Sequence, residues 1–374
     1  MKIVIDDKIP FIKGTLEPYA DTAYLSGSEC ADGKADALII RTRTKCNEST
    51  LKDTSVKFIA TATIGYDHID TAWCEANGII WTNAPGCNSG SVCQYIGAVL
   101  ATLAGRCDCR FRDMTLGVVG VGNVGSKVVR LGEALGMTVL LNDPPRARRE
   151  GGNAFVSLDE LLRRSDIVTV HVPLNRSGED NTFHLFDEAR LRHFRPNAIL
   201  INSSRGEVTD NAALKNALKA KSLKAAVLDV WENEPDIDCE LLSLLDIATP
   251  HIAGYSADGK AKGTAMSVQA LSRFFDFPLT AWQPDNVPAP LQPLQFTIDG
   301  TGKTQQQCLC EAILHTYPIL NDDSRLRTSP ETFEKQRGTY PTRREFEAFS
   351  VQTENISSET VEHLRILGFN IIHK

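Results

Sequence analysis

No stretch of the chain stays apolar for the roughly 18–20 residues that a membrane span requires. The amino-terminal Met1-Lys2-Ile3-Val4-Ile5-Asp6-Asp7 lacks an extended apolar region and a small-residue cleavage site, so it reads as a short buried strand rather than an export signal. Positive charge is also in deficit. Lys and Arg number 40 against 47 Asp and Glu, a formal net charge of −7, which argues against non-specific binding to nucleic acid or to an anionic membrane. A local basic pocket for a small anion remains compatible with that balance. Repeats and low-complexity segments are missing, so solenoid and disordered readings have no support.

Cysteine is not scarce, at ten residues, but without an export signal these read as reduced thiols filling the core of a cytoplasmic protein. Cys107-Asp108-Cys109 and Cys308-Leu309-Cys310 have half-site spacing, yet neither has a second pair at a finger-like distance, and no metal is expected.

What is present is a repeated alternation of short apolar runs with helix-like stretches. The runs are Lys2–Asp6, Ala37–Thr42, Lys57–Thr63, Gly78–Thr82, Thr115–Gly120, Thr138–Asn142, Asp166–Val172, Ala198–Asn202 and Ala225–Val230. Their Ile and Val occupy both faces, as in parallel strands covered by helices, and the alternation predicts an α/β doubly wound fold. These strands are too many for one compact sheet. We therefore expect two Rossmann-like domains: a discontinuous substrate-binding domain, 1–93 with 256–282, and a cofactor-binding domain, 94–255. Helices over Ser89–Arg106 and Ala257–Phe275 would mark the two crossings, with a cleft between the domains. A linker with Pro284, Pro288, Pro290 and Pro293 opens a third region, 283–374. It reads as a small α+β unit: strands at Leu294–Ile298, Glu347–Gln352 and Asn370–His373, and helices at Thr304–Tyr317 and Ser358–Leu367. A unit so small buries little core alone, so docking on a partner subunit is expected.

Gly120-Val121-Gly122-Asn123-Val124-Gly125 follows the strand at Thr115 and opens a helix. In that setting the first glycine permits a tight turn, the second a close approach of the backbone to a pyrophosphate, and the third close packing of helix on strand. The helix N-terminus offers free N–H groups to the phosphates. Asp143 ends the next strand, 18 residues beyond Gly125. A carboxylate there suits the adenosine ribose hydroxyls and repels a 2′-phosphate, which favours NAD over NADP. Arg146, Arg148 and Arg149 follow closely and leave a 2′-phosphate site conceivable on composition alone.

Three later segments fall at strand ends, where open α/β sheets bind ligands: Asn202-Ser203-Ser204-Arg205-Gly206, Leu228 to Pro235, and Pro250-His251-Ile252-Ala253-Gly254-Tyr255. Oxidising an alcohol beside a carboxylate needs a base near neutrality, a cation for the carboxylate and the forming carbonyl oxygen, and a carboxylate behind the base. His251, Arg205 and Glu234 are those residue types. His68 and His171 are rivals for the base, although His171 fits better as lining of the cofactor face. Asp229 closes its strand and could accept from the nicotinamide carboxamide. Arg41-Thr42-Arg43-Thr44-Lys45, after a first-domain strand, offers three cations and two hydroxyls to a terminal phosphate, and Thr61-Ala62-Thr63 follows the neighbouring strand. Arg343-Arg344 could also reach a substrate site.

In their order, the glycine loop, Asp143, Arg205, Glu234 and Pro250-His251 resemble the D-isomer-specific 2-hydroxyacid dehydrogenase family over most of residues 1–282. Asp143-Pro144-Pro145-Arg146, Ala84-Pro85-Gly86-Cys87-Asn88, Gly65-Tyr66-Asp67-His68 and the carboxy-terminal unit are similar to the branch that oxidises 4-phospho-D-erythronate in pyridoxal 5′-phosphate (vitamin B6) biosynthesis. That resemblance implies a cytoplasmic homodimer built through the carboxy-terminal unit. It implies catalysis by Arg205, Glu234 and His251, and cofactor contacts at Asn123, Val124, Asp143, Val172, Asp229 and Gly254. It also implies substrate contacts at Thr42, Thr63 and Tyr255. Gln94 stands where the family usually has glutamate, Val172 where it often has threonine, and Thr42 where it has serine. Other readings are a 3-phosphoglycerate or broader D-2-hydroxyacid dehydrogenase, and an NADH-sensing binding protein without turnover, which has no need of Arg205, Glu234 and His251 together.

Overall fold

The computed structural model describes residues 1–31, 34–107 and 109–372, with the backbone alone at Cys107. Asp108 of the Cys107-Asp108-Cys109 segment and His373 of the last expected strand lie outside the described residues. The chain forms two compact units, residues 1–88 with 256–289, and residues 89–255 with 290–374.

The first unit holds a five-stranded sheet of β1 (Lys2–Asp6), β2 (Asp21–Leu25), β3 (Ala37–Ile40), β4 (Phe58–Thr61) and β5 (Ile80–Thr82), ordered β2-β1-β3-β4-β5. Every pairing is parallel, with Ile3 opposite both Thr22 and Ala37. All residues of β3 and β4 are buried, which is why they read as unbroken apolar runs. By contrast, β2 is a half-exposed edge strand, Asp-Thr-Ala-Tyr-Leu, with no apolar run to betray it. The helix Ala257–Phe275 packs on β4, with Phe274 stacked on Phe58 at 4.9 Å and Val268 and Leu271 fully buried.

The second unit holds a six-stranded parallel sheet of β6 (Thr115–Val119), β7 (Thr138–Asn142), β8 (Ile167–Val170), β9 (Ile199–Asn202), β10 (Ala225–Leu228) and β11 (Ile247–Ala248). Its order is β11-β10-β9-β8-β6-β7, so the strand order reverses between β6 and β8. Doubly wound sheets bind their ligands at such a switch point, outside the strand carboxyl ends. The loop after β6 is the glycine loop.

Residues 290–374 add a second sheet, β12 (Gln295–Asp299), β13 (Ser350–Glu354) and β14 (Asn370–Ile372), all parallel, with helices in the connections. This segment is short of core, and the helix Ser89–Cys107 of the same unit makes up the deficit. Tyr95, Ile96, Val99 and Leu103 share one apolar cluster with Leu309, Ile313, Phe349 and Val351. Fully buried side chains of this kind contribute about 1.5–3 kcal/mol each. Gln94, buried on that helix, donates from its amide to Thr316 Oγ1 (3.0 Å) and to the Arg344 carbonyl (2.8 Å). The departure at position 94 thus belongs to this packing rather than to the chemistry.

Within residues 290–374, two helices have no counterpart in the sequence reading, Leu320–Thr328 and Phe333–Gly338. Their buried positions include Asp322, Asp323 and Gln336, so no apolar period marks them. Asp323 accepts the Ala248 N–H at 2.7 Å, closing the edge strand β11, and pairs with Arg327.

Candidate active site

Two glycines of the loop each have a steric duty, and the third leaves open space. Gly120 has φ +85°, and a Cβ there lies 2.6 Å from the His171 carbonyl oxygen. A Cβ at Gly125 lies 2.0 Å from the Gly120 carbonyl, so the helix Asn123–Ala134 could not start so close to the turn with any other residue. At Gly122 a Cβ meets no described atom within 4 Å. That open backbone face at a helix N-terminus fits a pyrophosphate, with Asn123 and Val124 in the first turn. Asp143 is the N-cap of the helix Pro144–Glu150. Its carboxylate accepts from the backbone of Val121 (2.8 Å) and of Arg146 (3.0 Å), which ties the end of β7 to the glycine loop.

The arginines beside Asp143 are already engaged. Arg146 forms a bidentate contact with Glu150 and donates to the Val121 carbonyl at 2.6 Å, Arg148 faces Glu179, and Arg149 faces Glu150. Cations so neutralised make a poor 2′-phosphate site, which leaves the Asp143 carboxylate to favour NAD.

Val172 follows β8, and its side chain would contact a Cβ at Gly120, so it walls the loop as an apolar surface. His171 hydrogen-bonds Thr169 Oγ1 at 3.0 Å, and desolvation pushes its pKa down to about 3. Such a ring is neutral at ordinary pH and a weak base, which removes it as a rival to His251. His68 in the first unit also has its pKa lowered by burial and faces Thr61 Oγ1 at 3.2 Å. The depressed His171 has a stability consequence. Between the ordinary 6.5 and about 3, the unfolded chain takes up a proton that the folded chain refuses. Stability present above pH 6.5 is therefore lost as pH falls, by at most about 1.4 kcal/mol per pH unit from this group. Urea unfolding at pH 7 and pH 5 should show a smaller acid loss in His171→Gln than in the wild type. Equal losses would show that the ring is solvated.

Arg205 follows β9 and donates from Nη1 to the Ser204 carbonyl at 2.8 Å. Asn202 shapes this loop, donating to the Arg205 carbonyl (2.9 Å) and accepting from the Ser204 N–H (3.0 Å). The next residue, Gly206, sits against the loop that follows β10, with a notional Cβ only 1.9 Å from the Trp231 carbonyl. That second loop carries Asn233 at φ +61° and a cis Glu234–Pro235 bond. Glu234 Oε1 accepts the Trp231 N–H at 2.9 Å, and Oε2 lies 2.7 Å from His251 Nδ1. A carboxylate only accepts, so Nδ1 carries the proton and Nε2 is the basic nitrogen.

His251 itself has φ +56°, a conformation that needs local support. Its N–H donates to the Asp229 carbonyl at 2.7 Å. The Asp229 carboxylate, 1% exposed, accepts from Thr249 Oγ1 (2.6 Å), Ile252 N (2.7 Å) and Ala253 N (2.8 Å). Burial raises its pKa, opposed by His251 and these donors. On sequence this carboxylate could accept from the nicotinamide carboxamide. In the structure its oxygens accept from the histidine loop, because the loop folds over the end of β10 and presents its N–H groups there. Gly254 and Tyr255 close the same loop, half-buried.

Arg205, Glu234, His251 and Tyr255 are thus carried by three loops of one unit. Thr42, Arg43, Arg41 and Thr63 belong to the other. Thr42 and Arg43 lie exposed in the turn after β3. Arg41 is instead turned onto Asp6, a fully buried carboxylate, with Nε and Nη2 at 3.1 and 3.0 Å. That buried charge needs a partner, so Arg41 is not a loose phosphate ligand. Thr63 donates to the Gly65 carbonyl at 2.9 Å and pairs with Thr61 Oγ1. Among the described residues no group of three or more His, Cys, Asp or Glu is placed to hold a metal, and no helix is long and apolar enough to cross a membrane.

One cation near the site was missed. Arg337, on the helix Phe333–Gly338, lies 5.8 Å from the Tyr255 ring centroid, and Tyr255, Glu334 and Glu234 all act on it electrostatically. Its helix has no apolar period, and sequence separation from Tyr255 hid the pairing. On sequence, Arg343 is a cation that could reach a substrate site. It is 4% exposed and donates to the Ile252 and Ala253 carbonyls, so it reaches the back of the histidine loop.

A family model for the D-isomer specific 2-hydroxyacid dehydrogenase NAD-binding domain matches residues 104–253, and one for a domain of unknown function matches residues 291–368. An erythronate-4-phosphate dehydrogenase of Bacteroides fragilis is 47% identical over 94% of this chain and 99% of its own. Those of Porphyromonas gingivalis (45%, 99% and 100%) and Escherichia coli (41%, 100% and 99%) match at similar levels. Among solved structures, D-lactate dehydrogenase from Aquifex aeolicus, complexed with NAD and lactic acid, superposes with a TM-score of 0.61. It is 26% identical and covers 75% of this chain and 97% of its own. With the glycine loop, Asp143 at the end of β7 and the Glu234–His251 pair in place, the chain belongs to the erythronate-4-phosphate dehydrogenases, NAD-dependent oxidoreductases of the D-isomer specific 2-hydroxyacid dehydrogenase family.

Proposed function

We propose that the chain oxidises 4-phospho-D-erythronate to 2-oxo-3-hydroxy-4-phosphobutanoate, in pyridoxal 5′-phosphate biosynthesis, with His251 as the general base. The observation that carries the reading is the 2.7 Å bond from His251 Nδ1 to Glu234. It fixes the tautomer in which Nε2 can take the hydroxyl proton, and it steadies the imidazolium that results. NAD, when bound, supplies the acceptor for the hydride leaving carbon 2. Arg205 holds the substrate carboxylate and the oxygen becoming a ketone, where a planar guanidinium is suited to both. The loop from Gly120 to Gly125 and Asp143 hold the dinucleotide, with Val172 and Gly254 beside it and Asp229 steadying the histidine loop below.

Arg43 and Thr42 are proposed to hold the terminal phosphate, with Thr63 and Tyr255 as further substrate contacts. Their exposure in a turn that also contains Lys45 supports the assignment. Replacing Arg43 by Ala is expected to raise KM for the phosphorylated substrate by about tenfold or more, the loss of one charge-assisted contact, while kcat changes little. An unchanged KM would remove the phosphate assignment. The chain is further proposed to act as a cytoplasmic homodimer through residues 283–374, where Leu291, Leu320 and Ile366 leave apolar surface exposed.

The direct test is NADH formation with 4-phospho-D-erythronate set against 3-phospho-D-glycerate and unphosphorylated D-erythronate. Turnover confined to the first supports the assignment. Equal turnover of all three would mark a broad 2-hydroxyacid dehydrogenase.

A further inference from the structure

The segment matching a domain of unknown function buries a cation for which the chemistry above has no use. Arg343 is 4% exposed, and among the described residues its Nε and Nη1 find no hydrogen-bond partner. Burying a guanidinium is costly unless something compensates. Two features of the structure do so. Its carbon lies 4.3 Å from the Tyr317 ring centroid and 5.8 Å from that of Tyr340, within cation–π range. Its Nη2 donates to two carbonyls, Ile252 O at 3.2 Å and Ala253 O at 2.6 Å. The rings are themselves fixed. One oxygen of Asp322 accepts from both phenols, Tyr317 at 2.8 Å and Tyr340 at 2.7 Å.

The other side of the same two residues faces Asp229. It takes the N–H of Ile252 at 2.7 Å and the N–H of Ala253 at 2.8 Å. Ile252 and Ala253 therefore have their donors on a buried carboxylate and their acceptors on a buried guanidinium. The residue before them is His251, held at φ +56°. We infer that Arg343 is a positioning residue, and that the carboxy-terminal segment uses it, with Asp322, Tyr317 and Tyr340, to clamp the histidine loop in the geometry catalysis requires. Asp229, just beyond the end of β10, holds the loop from one side only. Without Arg343 the Ile252 and Ala253 carbonyls lose their buried donor, and the loop has to turn them elsewhere. His251 moves with it.

This inference rests on His251 being the base, and the test separates the two claims. Arg343→Met and Arg343→Lys are made in the full chain. Measured are kcat, KM for the 2-hydroxy acid, the Kd for NADH from fluorescence, the melting temperature, and the primary isotope effect with substrate deuterated at carbon 2. A base displaced by about 1 Å lowers kcat by roughly 10²-fold. Arg343→Met is expected to show a loss of that order, with KM and the NADH Kd unchanged and a larger isotope effect. Arg343→Lys, whose ammonium can still donate to one or both carbonyls, is expected to recover part of kcat. A folded Met variant with wild-type kcat overturns the inference. So does a loss that falls on KM, which would make Arg343 a substrate ligand, or a loss that follows NADH affinity and melting temperature together. Should the Met variant fail to fold, Arg343→Gln, whose amide ends short of the two carbonyls, overturns it equally if its kcat and isotope effect are those of the wild type. His251→Ala at full activity would sink the base assignment itself. An inactive His251→Ala beside a fully active Arg343→Met would sink the clamp alone.

Discussion

Replacing His251 by alanine is expected to lower kcat by about 10²–10⁴-fold, the range for removing a positioned general base, while the NADH Kd stays near the wild-type value. The separation is expected because His251 makes its side-chain bond to Glu234 and none to the glycine loop. Glu234→Gln sharpens the test. The Trp231 N–H would keep its acceptor in the amide oxygen, but the amide nitrogen would then face His251 Nδ1. A donor at that position forces the ring proton onto Nε2, the nitrogen proposed to accept from substrate. The Gln variant should therefore lose activity although it differs from the wild type by one atom. NADH formation from 4-phospho-D-erythronate, with NADH binding followed separately, reads both. Wild-type rates in His251→Ala would remove His251 as the base.

The second large effect is expected at a glycine. In Gly206→Ala the new Cβ would lie 1.9 Å from the Trp231 carbonyl oxygen and 2.7 Å from the Glu232 nitrogen. These are backbone atoms, so no side-chain rotation relieves the clash, and the two loops must separate. Overpacking of this kind costs about 1–3 kcal/mol. The larger consequence is chemical, because Gly206 follows Arg205 and Trp231 precedes Glu234. Forcing the loops apart shifts the cation relative to the carboxylate and histidine, and an error of about 1 Å can cost 10²-fold in rate. Gly206→Ala is thus expected to lose far more kcat than its melting temperature implies. Gly105→Ala is the control, since nothing described lies within 4 Å of its Cβ. Equal kcat in both variants would mean that the loops tolerate the shift.

Much of this was legible in the sequence because it depends on local chemistry. The central strands announced themselves as Ile- and Val-rich runs, since strands covered on both faces have no polar side to show. The glycine spacing pointed to a phosphate-binding turn because Gly120 and Gly125 have steric duties that another residue cannot perform, while Gly122 leaves its backbone face open. The edge strands β2 and β11 were missed because one is polar and the other is two residues long, closed by Asp323 from far along the chain. The helices at 320–328 and 333–338 were missed because Asp322, Asp323 and Gln336 fill buried positions where an apolar residue would give a period.

The same distinction runs through the site. Sequence alone singled out the residue types proposed for the chemistry: Arg205, Glu234 and His251 at strand ends, and Asp143 after the glycine loop. It also determined the doubly wound fold, because periodicity and turn chemistry act over a few residues. Only the tertiary structure decided what each charged group is paired with. It placed Arg41 on buried Asp6, Arg146 on Glu150, Asp229 beneath the histidine loop and Arg343 behind it. A charge has no preferred partner in sequence; burial imposes one, and burial is a property of the folded chain.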